Sequence, residues 1–209
     1  MNIDYQGGNI YNKYESKNPL VEILMKKYFN DLDSIISQIK EEVRLAIEIG
    51  CGEGYLTQHI NDLGIKIEGA DIYQKIVDIA INLHPSIPFH TQSIYDLSSY
   101  DKHYDLVLVS EVMEHLDDPE LAIREIIKVS NKYILLTVPN DVIFRLANIS
   151  RLRYLRNLGN TPGHINHWSE NSFRKFLKKQ GLSIIQFRCS TLWLMALCRI
   201  PGRNDQQNH

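Results

Sequence analysis

LAIEIGCGEGYLTQHI, residues 45–60, carries an apolar strand pattern into Gly50, Gly52 and Gly54 and leaves as a helical pattern. Glycines at a strand-to-helix turn let the backbone approach a ligand closely, so a ligand is expected against this loop. The spacing excludes one class of ligand. A dinucleotide fingerprint would need glycine at Tyr55, one residue later than the third glycine here. Glu48, at the strand end just before the turn, would also press a carboxylate toward a bound phosphate. A ligand bearing an ammonium or sulfonium charge suits the loop better.

Outward from this stretch, short apolar runs alternate with helical patterns, as in parallel strands joined by crossover helices. Strands are expected at Leu45–Ile49, Lys66–Ala70, Pro88–Thr91, Tyr104–Val109 and Lys132–Val138, with amphipathic helices beginning near Tyr55, Tyr73 and Pro119. Upstream, Asn18 and Pro19 read as a cap and first turn, followed by Leu20, Ile23, Leu24 and Lys27 at helical spacing. A second helix is read from Leu32, Ile35, Ile36 and Ile39, after the acidic start at Asp31 and Asp33. Downstream, Ser169 opens a helix to Gln180, and the runs Leu182–Cys189 and Leu192–Arg199 form an antiparallel hairpin across Ser190 and Thr191.

The bulk numbers agree with one folded α/β domain. At 209 residues, 44% hydrophobic and 23% charged, the chain can bury a substantial core and lacks the polar signature of disorder. A net charge of −2 gives no global attraction to a polyanion, so nucleic acid is not an expected partner. Cys51, Cys189 and Cys198 match no zinc or disulfide spacing and read as free thiols in a reducing compartment. The amino terminus lacks the pattern of a signal peptide, and the longest apolar run, Leu192–Cys198, is too short to span a membrane. A cytoplasmic location is expected.

Glu48–Gly54, E-I-G-C-G-E-G, resembles motif I of class I S-adenosylmethionine-dependent methyltransferases, with Glu48, Gly50, Cys51, Gly52 and Gly54 in the cofactor loop. Asp71, ending the second strand in KIEGADIY, is placed to accept hydrogen bonds from both ribose hydroxyls, a role found in nicotinamide dinucleotide proteins too. Ile72 is placed to cover an adenine face. YDLVLVSEVMEHLDDPE, residues 104–120, resembles the fourth motif of the small-molecule branch that includes quinone-synthesis methyltransferases. That resemblance implies Ser110 and Glu111 at the methionine end of S-adenosylmethionine, and Asp117, Asp118 and Pro119 at the start of the next helix. Relatives commonly hold the adenine amine with an acidic residue after the third strand. The aligned position here is Ser93, so adenine contacts fall to Ser93 and Ile94.

The implied fold is a Rossmann-like, doubly wound, seven-stranded α/β sheet, mostly parallel with a C-terminal antiparallel hairpin and helices on both faces. A single methyltransferase domain is expected over residues 1–200, followed by a disordered tail at 201–209. Within the domain, residues 1–42 form a lid and helices, 43–139 the cofactor core, 140–168 an acceptor-covering segment, and 169–200 the last helix and hairpin.

Methyl transfer from a sulfonium needs alignment and water exclusion, and no metal is required. A base matters where the acceptor is a hydroxyl or a protonated amine. His115, four residues after Glu111, is one candidate, alternatively a capping or packing histidine; His164 and His167, in TPGHINHWS, are the others, alternatively loop histidines without a role. Trp168 is either an aromatic wall for the acceptor or an anchor for the next helix. Tyr5, Tyr11 and Tyr14 read as a lid over the cofactor or as exposed tyrosines. Arg145–Gly159 is an amphipathic basic face with Arg145, Arg151, Arg153 and Arg156. Its readings are a solvated helix, an anionic-acceptor pocket involving Arg153 and Arg156, or transient contact with a membrane presenting a lipid-linked acceptor.

The expected activity is transfer of the methyl group to an O, N or C atom of a small-molecule or lipid-linked acceptor. The alternative is an S-adenosylmethionine-binding protein without transfer chemistry, acting in regulation or interaction. DNA amino-methylation is disfavoured, since Ser110–Met113 replaces the Asn/Asp-Pro-Pro-Tyr type of motif.

Overall fold

The computed structural model describes residues 18–100, 103–141, 143 and 165–201. Asn18 caps the first helix by accepting a hydrogen bond from the Leu20 amide at 3.0 Å, and Pro19 supplies a preset φ at the first helical position. Helix α1 (Pro19–Ile36) then runs unbroken through Asp31 and Asp33. The two helices read from the sequence are therefore one, followed by a 3-10 turn at Lys40–Glu42. The reason is packing: Met25, Tyr28, Leu32, Ile35 and Ile36 lie along one buried stripe, so the acidic residues sit mid-helix without interrupting it.

Strand β1 (Ala46–Ile49) leads through the glycine turn into α2 (Tyr55–Asp62), then come β2 (Ile67–Asp71), α3 (Gln74–Leu83) and β3 (Phe89–Thr91). The second half holds β4 (Tyr104–Ser110), a 3-10 turn at Met113–His115, α4 (Pro119–Val129), β5 (Ser130–Pro139), α5 (Glu170–Lys179), β6 (Ser183–Ser190) and β7 (Trp193–Arg199). The strand order is β3-β2-β1-β4-β5-β7-β6. Strands β3 to β5 of that order pair in parallel, while β7 runs antiparallel to both β5 and β6. The expected doubly wound sheet with a terminal hairpin is thus the observed one.

Alternation along the central strands divides the core between two faces. Ala46, Leu106, Leu108, Tyr133 and Leu135 pack with residues of α1 and α2. Ile47, Ile49, Val107, Val109, Ile134 and Leu136 meet α4 and α5. Both faces being covered explains the nearly uninterrupted apolar runs of β4 and β5.

Asp118 caps α4 through the Leu121 amide at 2.8 Å, and Ser169 caps α5 through the Ser172 amide at 3.2 Å. The Ser172 hydroxyl is in turn bonded by the Ser169 amide at 2.9 Å, completing a capping box. Ser169→Ala is expected to lower stability by about 1 kcal/mol, read from the urea midpoint at an unchanged slope.

The expected lead with Tyr5, Tyr11 and Tyr14, the basic segment Arg145–Gly159 and the tail from 202 onward fall outside the described residues. Among the described residues, no helix is long and apolar enough to cross a membrane.

Candidate active site

The first two parallel strands end side by side, with Glu48 opposite Gly69 and Ile49 opposite Ala70. The Ala70 carbonyl accepts from both the Gly50 amide at 2.7 Å and the Cys51 amide at 2.9 Å, which folds the chain sharply off β1. Gly50 has φ 78°, and a Cβ there would stand 2.3 Å from Val112 Cγ2. Gly52 has φ 55°, yet a Cβ there would meet nothing within 4 Å. The loop is thus closed against the protein at Gly50 and open at Gly52, leaving free space beside the backbone there.

Asp71 ties this loop to the next turn. Its Oδ2 accepts from the Gly52 amide at 3.1 Å and its Oδ1 from the Tyr73 amide at 3.1 Å. Both bonds orient the carboxylate and leave lone pairs for further donors, since an ionised carboxylate has about four acceptor sites. The next two side chains, Ile72 and Tyr73, are 55% and 41% exposed, an apolar surface beside an acid. Such large exposed apolar groups suit the flat face of a base.

Glu48 is buried and its Oε2 accepts from the Thr57 hydroxyl at 2.5 Å, which joins the end of β1 to α2. Cys51 turns inward to pack with Val77, Ala80, Ile87 and Phe89. Burial pushes its thiol up, and the carboxylates of Glu48, Asp71 and Glu53 push it further. It therefore stays a neutral thiol, and the carboxylates of Glu48, Asp71 and Glu53 lie around it.

On the other side of β1, strand β4 ends at Ser110 and the next residue, Glu111, adopts φ 56°. The Glu111 amide donates to the Thr137 carbonyl at 3.0 Å, and its carboxylate accepts from the Trp193 indole Nε1. The Ser110 hydroxyl shares hydrogen bonds with Thr137 Oγ1 at 2.9 Å and with Tyr28 Oη at 2.9 Å. Ser93 Oγ accepts from the Tyr95 amide at 3.2 Å, whereas Ile94 is buried in the core.

The segment after the basic stretch is fastened to the carboxyl edge of the sheet. The Ile165 and Asn166 amides donate to the Glu114 carbonyl at 2.8 and 3.0 Å, and Asn166 Nδ2 donates to the carbonyls of Met113 and Leu116 at 3.1 and 2.6 Å. Asp141, just past β5, closes the other side. Its amide donates to the Trp168 carbonyl at 3.1 Å, and its Oδ2 accepts from the Trp168 amide at 2.6 Å. Its Oδ1 lies 3.5 Å from His167 Nδ1. Asp141 is buried, and the His167 side chain is 40% exposed.

These contacts distribute the candidates. His115 is exposed on the 3-10 turn, and His167 lies on the fastened segment beside Asp141. Trp168 is buried with its ring 5.4 Å from Phe173 and 5.0 Å from Phe176, the place of an anchor for α5. His164, Tyr11, Tyr14, Arg153 and Arg156 fall outside the described residues. Sequence reasoning missed Asp141, Tyr28, Thr137 and Trp193. The only local signal was Asp141 following the Pro-Asn end of β5.

The methyltransferase domain family matches residues 25–187. The chain is 24% identical over 168 residues to the ubiquinone biosynthesis O-methyltransferase of Coxiella burnetii, covering 72% of each protein. It is 28% identical over 149 residues to that of Cereibacter sphaeroides, covering 65% of this chain and 59% of the relative. Similar folds include magnesium protoporphyrin IX methyltransferase from Synechocystis with bound SAH, at TM-score 0.65 and 18% identity, covering 88% of each chain. A SAM-dependent methyltransferase from Methanosarcina mazei aligns at TM-score 0.66 and 19% identity, covering 79% of this chain and 96% of that one. With the family match spanning most of its length, and with a glycine turn and strand-end acid at the head of a doubly wound sheet, this chain belongs to the methyltransferase domain family and is a class I S-adenosylmethionine-dependent methyltransferase.

Proposed function

We propose that the protein methylates a small molecule, with the cofactor seated on the Gly50–Gly54 turn and the acceptor entering beneath the fastened segment at His167. The observation that carries the reading is the open, acid-flanked cradle at Gly52, whose amide is held by Asp71. The relatives that act in ubiquinone biosynthesis support a small acceptor, and a lipid-linked intermediate is within that class.

In this reading Asp71 accepts hydrogen bonds from the ribose hydroxyls, while Ile72 covers an adenine face beside Ser93; the side chain of Ile94, buried in the core, is not offered to the ligand. Glu48 stiffens the loop through Thr57, and the backbone of Gly50, Cys51, Gly52 and Gly54 lies along the ligand. Ser110 and Glu111 line the methionine end. When bound, S-adenosylmethionine supplies a methyl group already activated by a sulfonium charge. The protein's own work is to align the acceptor, exclude water and, for a hydroxyl acceptor, take a proton. His167 is the residue for that proton. Asp141 Oδ1 lies 3.5 Å from its Nδ1, so a proton on Nδ1 would point to the carboxylate and Nε2 would be left to accept the acceptor's proton. His115 is the second candidate, on the neighbouring turn.

A labelled-cofactor assay against extracts of small molecules tests the reading. Label is expected in a small organic product, and His167→Ala is expected to cut turnover by about a hundredfold at unchanged cofactor affinity. Equal turnover removes His167 as the base. Label in protein or nucleic acid alone overturns the small-molecule acceptor, and binding without any product replaces transfer by a binding role.

A further inference from the structure

The end of β4 is the most constrained turn of the site. Among the described residues, only Glu111 and Thr191 combine a side chain with positive φ, and Glu111 sits where β4 leaves the sheet. Left-handed backbone is unfavourable for a residue with a Cβ, so the fold must supply contacts that keep Glu111 there. One is the hydrogen bond that its amide donates to the Thr137 carbonyl on β5 at 3.0 Å. Another is through the side chain, whose carboxylate accepts from the Trp193 indole at the start of β7.

Ser110, one residue earlier, is held in a similar way from the opposite end of the chain. Tyr28, on α1, brings its hydroxyl to 2.9 Å from Ser110 Oγ and 3.3 Å from Thr137 Oγ1, while Ser110 and Thr137 are themselves 2.9 Å apart. The three hydroxyls form a triangle of mutual hydrogen-bond contacts. The two supports also touch: the Tyr28 and Trp193 rings meet edge to face at 5.1 Å and 70°. Tyr28 is 1% exposed and Trp193 5% exposed. Neither ring is an accessible surface, and a core that needed only apolar volume there would be served by phenylalanine.

We infer that Tyr28 and Trp193 are positioning residues for cofactor binding, Tyr28 acting through the Ser110 hydroxyl and Trp193 through the Glu111 carboxylate. The inference rests on the reading that Ser110 and Glu111 line the methionine end. It makes α1 and the C-terminal hairpin working parts of the site, joined under the turn by one aromatic pair. Their polar atoms add to the contacts that set the direction of the Ser110 and Glu111 side chains, so the site meets the ligand already ordered.

The test is a pair of double-mutant cycles read by calorimetry with S-adenosylmethionine, alongside the melting temperature of each variant. Trp193→Phe is expected to raise Kd about three- to tenfold, and to change it by less than about twofold when Glu111 is already Ala. Tyr28→Phe, which keeps the ring and removes one hydroxyl, is expected to behave in the same way toward Ser110→Ala. A merely structural role predicts a lower melting temperature with Kd unchanged well below it, and that result would overturn the inference. So would equal fold-changes in the wild-type and substituted backgrounds. Should Trp193→Phe fail to fold, the Tyr28 cycle decides alone. If the unsubstituted protein binds no S-adenosylmethionine, the cofactor reading itself fails, a distinct outcome from unchanged Kd in the variants.

Discussion

Asp71→Ala will weaken S-adenosylmethionine binding by about ten- to a hundredfold, with the sheet intact by circular dichroism. Two losses combine. In the proposed binding mode the ribose hydroxyls lose a charged acceptor, and the Gly52 and Tyr73 amides, each held at 3.1 Å, lose the carboxylate that fixes the loop against the start of α3. Asp71→Asn separates these contributions. A carboxamide has one acceptor oxygen, so it keeps a single amide bond and turns a donor toward the other position. Its affinity should fall between those of the wild type and the alanine variant. Full affinity in Asp71→Ala, measured by titration calorimetry, would remove Asp71 from the binding site.

Gly50→Ala will strike the fold itself. At φ 78° the new methyl group would lie 2.3 Å from Val112 Cγ2, well inside contact distance. Left-handed backbone costs roughly 1–2 kcal/mol, and forcing a methyl group into packed surroundings adds about 1–3 kcal/mol. A melting temperature about 5–15 °C below the wild type follows for a domain of this size. Val112→Ala should recover part of the steric loss and none of the conformational one, because it opens space without changing φ. Gly52→Ala is the contrast, since nothing stands within 4 Å of its Cβ: stability falls by the backbone cost alone, while the methyl group occupies the cradle and cofactor affinity drops. Equal melting temperatures for wild type and Gly50→Ala would contradict this account of the turn.

The glycine turn and strand-end acids of the proposed cofactor site were legible because they are local features. The glycines, the acid before them and the acid ending β2 each lie at a strand terminus, and strand termini show in a sequence as the place where an apolar run stops. The seven strands followed from the same signal. The boundary at Asp31 and Asp33 failed because an acidic pair reads as a helix start, whereas here the buried stripe of α1 continues beneath it. Burial against a sheet is not visible from the segment alone.

The alternation of apolar runs and the three glycines at a strand end were enough, in the sequence alone, to point to a doubly wound sheet with a strand-to-helix turn at its head. Only the tertiary structure decided which distant side chains meet at these strand ends: Tyr28 at Ser110, Trp193 at Glu111, and Asp141 beside His167. The physical reason is range. Backbone periodicity is written within a few residues, whereas a hydrogen bond between two side chains depends on how crossovers and hairpins pack whole elements together, and no local pattern encodes that meeting.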